Sequence, residues 1–170
     1  MQPECFSSAT LNHIPQGEAI QRILAAAIQA VEPGAAVRQF IKHEGNSLLI
    51  AKQSIQLEQY EHIYLAALGK AAQPMAVELS GILGEYLTAG LVITKHSTSL
   101  DIPRVEIVEG DHPIPGARSL KAGEQLLEFL AQTQPSDLVF CLISGGGSAL
   151  AAAPHPGISL EEMQQLTRLL

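Results

Sequence analysis

The stretch Asp137-Leu-Val-Phe-Cys-Leu-Ile-Ser144-Gly-Gly-Gly-Ser148-Ala-Leu150 carries most of the information about the fold. Six apolar residues, Leu138 to Ile143, run directly into three glycines that are flanked by serines. An apolar run of this length is too short for an independent helix and is typical of a strand buried on both faces of a parallel sheet. The glycines can take positive φ and have no Cβ to block a ligand. The stretch therefore predicts a buried strand that ends in a ligand-binding turn.

A helix is expected to restart near Ser148. Backbone N–H groups at a helix start point outward and carry partial positive charge, so they suit a phosphate or a carboxylate. The candidate anion-binding residues are Ser144, Gly145, Gly146, Gly147 and Ser148. The turn lacks the Gly-Lys-[Ser/Thr] of a Walker A loop, and Leu150 stands where a dinucleotide fingerprint has its third glycine. A turn that only lets strand and helix pack closely is the alternative interpretation.

Composition limits the classes of protein to which the chain can belong. The chain has 170 residues, of which 46% are hydrophobic and only 4% aromatic, so its core is built from Leu, Ile, Val and Ala. A net charge of −7 disfavours nonspecific binding to nucleic acid or to anionic membranes. Cys5 and Cys141 show no metal or disulfide spacing, and Cys141 is expected to be buried in its strand. No signal peptide and no apolar run of membrane-spanning length is recognisable, so a cytoplasmic location is expected.

Strands alternate with helices along the chain, which indicates the α/β class with a Rossmann-like, mainly parallel sheet and helices on both faces. The predicted strands are residues 48–50, 63–68, 90–94, 105–108 and 138–143. The predicted helices are residues 17–31, about 36–40, 72–83, 117–130 and from about 160, where Ser159 and Glu162 make a capping box. Residues 1–16 are expected to be irregular, and residues 17–170 to form one α/β domain. The last helix shows no terminating signal, which suggests an incomplete domain.

Three of the other predicted strands are followed by residues that are candidates for a ligand site. In open parallel sheets, ligands bind beyond the carboxyl ends of the strands. Lys70 follows one strand and precedes a helix, where its charge opposes the helix dipole unless an anion is bound there. A solvated surface lysine is the alternative. The segment Thr94-Lys95-His96 follows the next strand, and a plain polar loop is the favoured interpretation there.

The third segment is Gly110-Asp-His-Pro-Ile-Pro-Gly116, whose two prolines stiffen the loop. Asp111 could hold a metal ion or a substrate hydroxyl, and His112 could bind an anion or shuttle a proton. A turn in which Asp111 bonds local backbone groups is the alternative. No nucleophile–base pair follows from the spacing, and no metal ligands can be assigned.

Four motifs in order resemble the N-terminal part of the MOFRL-type bacterial glycerate 2-kinases, which are also named hydroxypyruvate reductase. They are Leu68-Gly-Lys-Ala-Ala72, Gly110-Asp-His-Pro-Ile-Pro115, Leu142-Ile-Ser-Gly-Gly-Gly-Ser-Ala-Leu150, and Pro156-Gly-Ile-Ser-Leu160 leading to Leu166-Thr-Arg-Leu-Leu170. The resemblance covers nearly the whole chain from about residue 17.

The resemblance implies a two-domain kinase that transfers the γ-phosphoryl group of ATP to D-glycerate with Mg²⁺, in a cleft between its domains. On that basis Lys70, Asp111 and His112 are the candidate catalytic residues. Lys70 would neutralise phosphate or carboxylate charge, and the turn from Ser144 to Ser148 would hold phosphate or the substrate carboxylate. The resemblance does not assign ATP and glycerate to particular loops.

The chain is much shorter than members of that family, so half of the expected cleft is missing. Little or no kinase activity is therefore expected from the 170 residues alone, and the bare cleft face would favour a homodimer. Two alternatives stay open. One is a non-catalytic anion-binding module, and the other is a nicotinamide-dependent reductase, against which Leu150 and the following Ala-Ala-Ala-Pro segment speak.

Overall fold

The N-terminal third of the chain forms helices and a small antiparallel sheet. The computed structural model describes residues 2–169. A 3-10 turn, Pro3–Phe6, is followed by the helices α1 (Ala9–Asn12), α2 (Gly17–Ala30) and α3 (Pro33–Phe40). The sheet consists of β1 (Ile41–Glu44), β2 (Ser47–Ile50) and β3 (Gln53–Gln56), with β2 in the middle. A second 3-10 turn, Leu57–Gln59, leads into the main sheet.

The centre of the domain is a four-stranded parallel sheet with helices on both faces. Its elements are β4 (Ile63–Leu68), α4 (Ala72–Leu83), β5 (Ala89–Thr94), β6 (Val105–Glu109), α5 (Ala117–Ala131), β7 (Leu138–Ile143), the single turn α6 (Gly147–Leu150) and α7 (Leu160–Leu169). The strand order β6-β5-β4-β7 confirms the predicted α/β class and parallel sheet. Leu170, where the predicted domain and the last motif end, lies outside the described residues.

Strand β4 lies inside the sheet because its side chains are apolar on both faces. On one face, Leu65 and Ala67 pack with α4, which buries residues at a spacing of three to four. Those helix residues are Ala72, Ala76, Leu79 and Leu83. On the other face, Leu68 packs with Leu91 and Ile93 of β5 and with side chains of α5. The two apolar clusters, one on each face, hold the central strands in fixed positions.

The prediction that β7 is buried on both faces is wrong. Phe140 is buried, but Cys141 is exposed and the side chain of Ile143 is 72% exposed. Strand β7 is an edge strand that pairs only with β4. Within residues 2–169 no element covers the side of β7 that carries Cys141 and Ile143. The apolar run therefore predicted the strand correctly but not its surroundings.

The N-terminal part also differs from the expectation. Residues 1–16 were expected to be irregular, but they contain the 3-10 turn Pro3–Phe6 and the one-turn helix α1. Helix α2 has the predicted apolar spacing, yet Ile23 on that helix and Val31 directly after it are 67% and 72% exposed. Strands β1 and β3 were not predicted, because each has a single apolar residue among polar ones.

Alanine substitutions of Leu65 and Ile143 test the difference between the buried strand β4 and the edge strand β7. Leu65 is fully buried, so Leu65→Ala should lower the free energy of unfolding by about 2–5 kcal/mol. Ile143→Ala removes a side chain that is already largely in water and should cost at most about 0.5 kcal/mol. Urea denaturation followed by circular dichroism measures both. Equal losses for the two variants would contradict the edge position of β7.

Candidate functional site

Four loops leave the carboxyl ends of the parallel strands and meet at one edge of the sheet. They follow β4 at Gly69, β5 at Lys95, β6 at Gly110 and β7 at Ser144. Because the strands are parallel and adjacent, their carboxyl ends lie side by side. All candidate site residues predicted from the sequence lie in three of these loops.

The loop after β4 is bonded directly to the loop after β7. The Ser144 amide donates to the carbonyl oxygen of Leu68 at 2.8 Å, and the Lys70 amide donates to the Gly145 carbonyl oxygen at 3.0 Å. The Ala71 amide donates to the Ser144 hydroxyl at 3.0 Å. Gly69 takes φ 122° and lies against Ser144, where a Cβ would collide with it. The structure thus brings Lys70 and the triple-glycine turn together.

The glycine turn approaches Lys70 and His112 closely. Gly146 has φ 94°, and a Cβ on it would lie 3.0 Å from Nε2 of His112 and 3.3 Å from Cγ of Lys70. Among the hydrogen bonds found for residues 2–169, none has the amides of Gly145 to Ser148 as donors. These amides are available to a ligand, together with the exposed side chain of Ser148.

The expected helix after the turn is only the single turn α6, Gly147–Leu150. One turn adds little to a macrodipole, so free amides rather than a helix dipole make this turn suitable for an anion. Leu150 is fully buried in the core between β5 and α5. Leu150, which stands where a dinucleotide fingerprint has its third glycine, therefore faces the interior of the domain and not the loops.

His112 is partly buried beside the glycine turn. Burial lowers the pKa of its imidazole, and the ammonium groups of Lys70 and Lys95 lower it further. The ring is therefore neutral at pH 7. Its Nδ1 is buried and has no hydrogen-bond partner among the described residues. A neutral imidazole has one N–H and one bare ring nitrogen, so His112 can exchange a proton with a ligand that contacts Nε2, the ring nitrogen beside Gly146.

Asp111 lies next to His112, but its carboxylate is bonded within the chain. Its Oδ2 accepts from the Arg118 amide at 3.1 Å, and its Oδ1 accepts from Nε of the Arg118 side chain at 2.8 Å. A second guanidinium nitrogen lies 2.7 Å from Oδ1. The Asp111 amide donates to the buried Ser119 hydroxyl at 3.0 Å. This matches the local-turn interpretation of Asp111, which connects the loop to the start of α5.

Sequence reasoning missed two residues of this edge, Arg118 and Ser119, and it interpreted Lys95 as part of a plain polar loop. Ser119 is the third residue of α5 and bonds the amides of both Asp111 and Gly116. The signal for it was a hydroxyl residue in the first turn of a predicted helix, eight positions after Asp111. For Lys95 the signal was its position directly after a strand, which is the feature that singled out Lys70.

The group with metal-ligand geometry in the described residues lies elsewhere. Side-chain atoms of Glu61, His62 and Asp137 come within 4.8 Å of one another. They precede β4 and β7, at the amino ends of the strands, and the Asp137 carboxylate accepts from the Gln134 amide. That hydrogen bond and the His62 ring keep the pKa of Asp137 below its usual value. The group thus closes the turn before β7 and is not part of the loop edge.

The fold and this edge define an open α/β domain whose strand-end loops combine free amides, two lysines and a neutral histidine. Residues 19–170 match the family described as "Domain of unknown function (DUF4147)", and the chain belongs to that family. Within residues 2–169, no helix has the length and apolar character needed to cross a bilayer.

Related proteins carry kinase names. The chain is 36% identical over 149 residues to glycerate 2-kinase of Pyrococcus horikoshii, covering 88% of this chain and 33% of that protein. It is 33% identical over 162 residues to glycerate kinase of Danio rerio, covering 87% and 32%. The crystal structure of glycerate kinase from Thermotoga maritima matches with a TM-score of 0.69 at 34% identity, covering 86% and 32%.

These relatives confirm the resemblance to glycerate 2-kinases that the four motifs indicated. The chain spans about a third of the length of the curated relatives it matches.

Gly146 and Gly145 offer a matched test of the turn. Gly146→Ala places a Cβ against His112 and forces a positive φ on alanine, so it should cost roughly 1–3 kcal/mol of unfolding free energy. Gly145→Ala adds a Cβ in open space and should change stability by no more than about 0.5 kcal/mol. Thermal and urea unfolding measure the difference. If both variants unfold alike, the described turn geometry is wrong.

Proposed function

We propose that this chain is the N-terminal α/β domain of a glycerate 2-kinase, which transfers the γ-phosphoryl group of ATP to the 2-hydroxyl of D-glycerate. The products would be 2-phosphoglycerate and ADP. The observation that carries the proposal is the meeting of Lys70, His112 and the glycine turn at one edge, in a chain related to glycerate kinases. A cytoplasmic location remains part of the proposal.

Phosphoryl transfer depends mainly on positioning and on neutralising charge. The Lys70 ammonium would stabilise negative charge on a phosphate or carboxylate oxygen, and the free amides of Gly145 to Ser148 would donate hydrogen bonds to the same group. Such donors act strongly because they are fixed before the reaction begins. The bonds between Ser144 and the loop after β4 provide that fixed arrangement.

His112 would accept the proton of the 2-hydroxyl as its oxygen attacks the γ-phosphorus. The bond from the γ-phosphorus to the bridging oxygen then breaks, and ADP leaves with that oxygen. A general base must be unprotonated at the working pH, and burial together with two nearby lysines keeps His112 so. As pH falls, protonation of His112 should remove the base and reduce the rate, with the loss occurring below the ordinary histidine pKa.

Asp111 would act as a positioning residue. Its carboxylate holds Arg118 and the start of α5, which fixes the loop that carries His112. The sequence predicted a direct catalytic role for Asp111. We propose an indirect role instead, because both carboxylate oxygens already accept hydrogen bonds.

The described residues of this edge do not fit a Mg²⁺ site. Mg²⁺ takes oxygen ligands, usually one or two carboxylates besides substrate phosphates. The Asp111 carboxylate is bonded to Arg118, and the Glu109 carboxylate accepts from Ser97 and lies near Arg118. The Mg²⁺ that the resemblance implies is therefore assigned no ligand here, and no step is routed through it.

Two observations disfavour a nicotinamide-dependent reductase. The third fingerprint glycine is replaced by Leu150, which is part of the core, and the helix after the turn is one turn long. A dinucleotide site needs that glycine for close helix–strand packing and a helix N-terminus for the pyrophosphate.

The test uses the longest polypeptide that carries this sequence, beside the 170-residue chain alone. A coupled assay with ATP and D-glycerate measures ADP release, and ³¹P NMR identifies the phosphorylated position. We expect turnover to 2-phosphoglycerate by the longer polypeptide and little or none by the short chain, which lacks two thirds of the length of its relatives. Lys70→Gln should lower kcat/KM by roughly 10²–10³.

Lys52→Gln is the matched control, because Lys52 is an exposed lysine in the turn between β2 and β3. It should leave kcat/KM unchanged. Full activity of Lys70→Gln would refute the assigned role of Lys70. Oxidation of NADH by hydroxypyruvate, without ATP-dependent turnover, would favour the reductase. Binding of phosphate without either activity would favour the non-catalytic module.

A further inference from the structure

Lys95 lies between the two loops that carry Lys70 and His112. It follows Thr94, the last residue of β5. The Gly69 amide, beside Lys70, donates to the Ile93 carbonyl oxygen at 3.0 Å. On the other side, the Gly110 amide donates to the Thr94 carbonyl oxygen at 3.0 Å. Lys95 thus leaves the sheet at the centre of the loop cluster.

The loop after Lys95 is held in place from both sides. From α4, the buried Gln73 side chain accepts from the Thr98 amide at 2.9 Å and donates to the Leu100 carbonyl oxygen at 3.2 Å. From β6, the Glu109 carboxylate accepts from the amide and the hydroxyl of Ser97 at 2.7 and 2.8 Å. A loop that is bonded only to water would not have a buried glutamine side chain bonded to its backbone. These bonds fix the backbone that presents Lys95.

The positive charge at this edge is not balanced by nearby carboxylates. In residues 2–169, neither Lys70 nor Lys95 forms an ion pair, whereas the adjacent Asp111 and Glu109 carboxylates are both paired with the single guanidinium of Arg118. The three cations outnumber the two carboxylates, so the edge keeps a net positive charge. The whole protein carries a net charge of −7, so this local excess runs against the overall field. The two ammonium groups are both close enough to His112 to lower the pKa of its imidazole.

We propose that Lys70 and Lys95 together bind a dianionic phosphoryl group beside His112 and the glycine turn, in preference to a monoanionic carboxylate. Two cations and four free amides match a group with two negative charges and several acceptor oxygens. A carboxylate has one negative charge and two oxygens, so it would balance only one of the two ammonium charges. Only the identification of the phosphoryl compound as ATP or phosphoglycerate rests on the proposed function.

The test is calorimetric titration of the 170-residue chain with inorganic phosphate and with acetate, at constant ionic strength. Phosphate should bind and acetate should bind at least tenfold more weakly, since roughly tenfold corresponds to one lost charge-assisted hydrogen bond. Lys95→Gln should weaken phosphate binding by about tenfold or more, as should Lys70→Gln. Lys52→Gln, at the small sheet, should bind phosphate like the unmodified chain.

A second readout does not depend on any added ligand. NMR titration of the His112 ring should show its pKa rising in Lys95→Gln and in Lys70→Gln, because each variant removes a like charge, and staying constant in Lys52→Gln. Thermal unfolding checks that the variants are folded.

The proposal is overturned if Lys95→Gln binds phosphate normally, if acetate binds as tightly as phosphate, if neither binds, or if His112 titrates unchanged in Lys95→Gln. These outcomes differ from a failure of the kinase proposal. Phosphate binding that depends on Lys95, without kinase turnover by the longer polypeptide, would refute only the kinase. Kinase turnover that needs Lys70 but not Lys95 would refute only the role of Lys95.

Discussion

The hydrogen bonds between the loop after β4 and the loop after β7 are the constraint on which the site depends. Ser144 accepts from Ala71 through its hydroxyl and donates to Leu68 through its amide, and Lys70 donates to Gly145. These contacts are possible only because β4 and β7 are adjacent and parallel, and because Gly69 has no Cβ. A lysine and a glycine turn 75 residues apart in the chain thereby become one surface.

The same edge shows how an acidic protein can present a local positive charge. Arg118 pairs with the carboxylates of both Asp111 and Glu109, so its guanidinium offsets one of their two negative charges. His112 stays neutral because it is buried beside those lysines. With the ammonium groups of Lys70 and Lys95, cations outnumber carboxylates at this edge, and the unused donors are main-chain amides. Such an arrangement favours anionic oxygens through charge and through preorganised hydrogen bonds.

Much of the fold could be predicted because apolar runs and glycine-rich ends are local signals. The bounds of β4, β7 and α4 were predicted correctly from runs of this kind. The environment of β7 could not be predicted. The strand order makes β7 an edge strand, and that order does not follow from the residues of β7 alone. The sequence placed Lys70, His112 and the glycines at strand ends. It underrated Lys95, because the glutamine that fixes its loop comes more than 20 residues earlier.

The central claim is that the strand-end loops form one anion site, and amide NMR tests it most directly. Titrating ¹⁵N-labelled chain with inorganic phosphate should shift the amide signals of Gly145, Gly146, Gly147 and Ser148 together, with the same apparent Kd as the His112 ring. Shifts confined to the opposite edge at Glu61, His62 and Asp137, or no saturable shift in the glycine turn, would contradict the account.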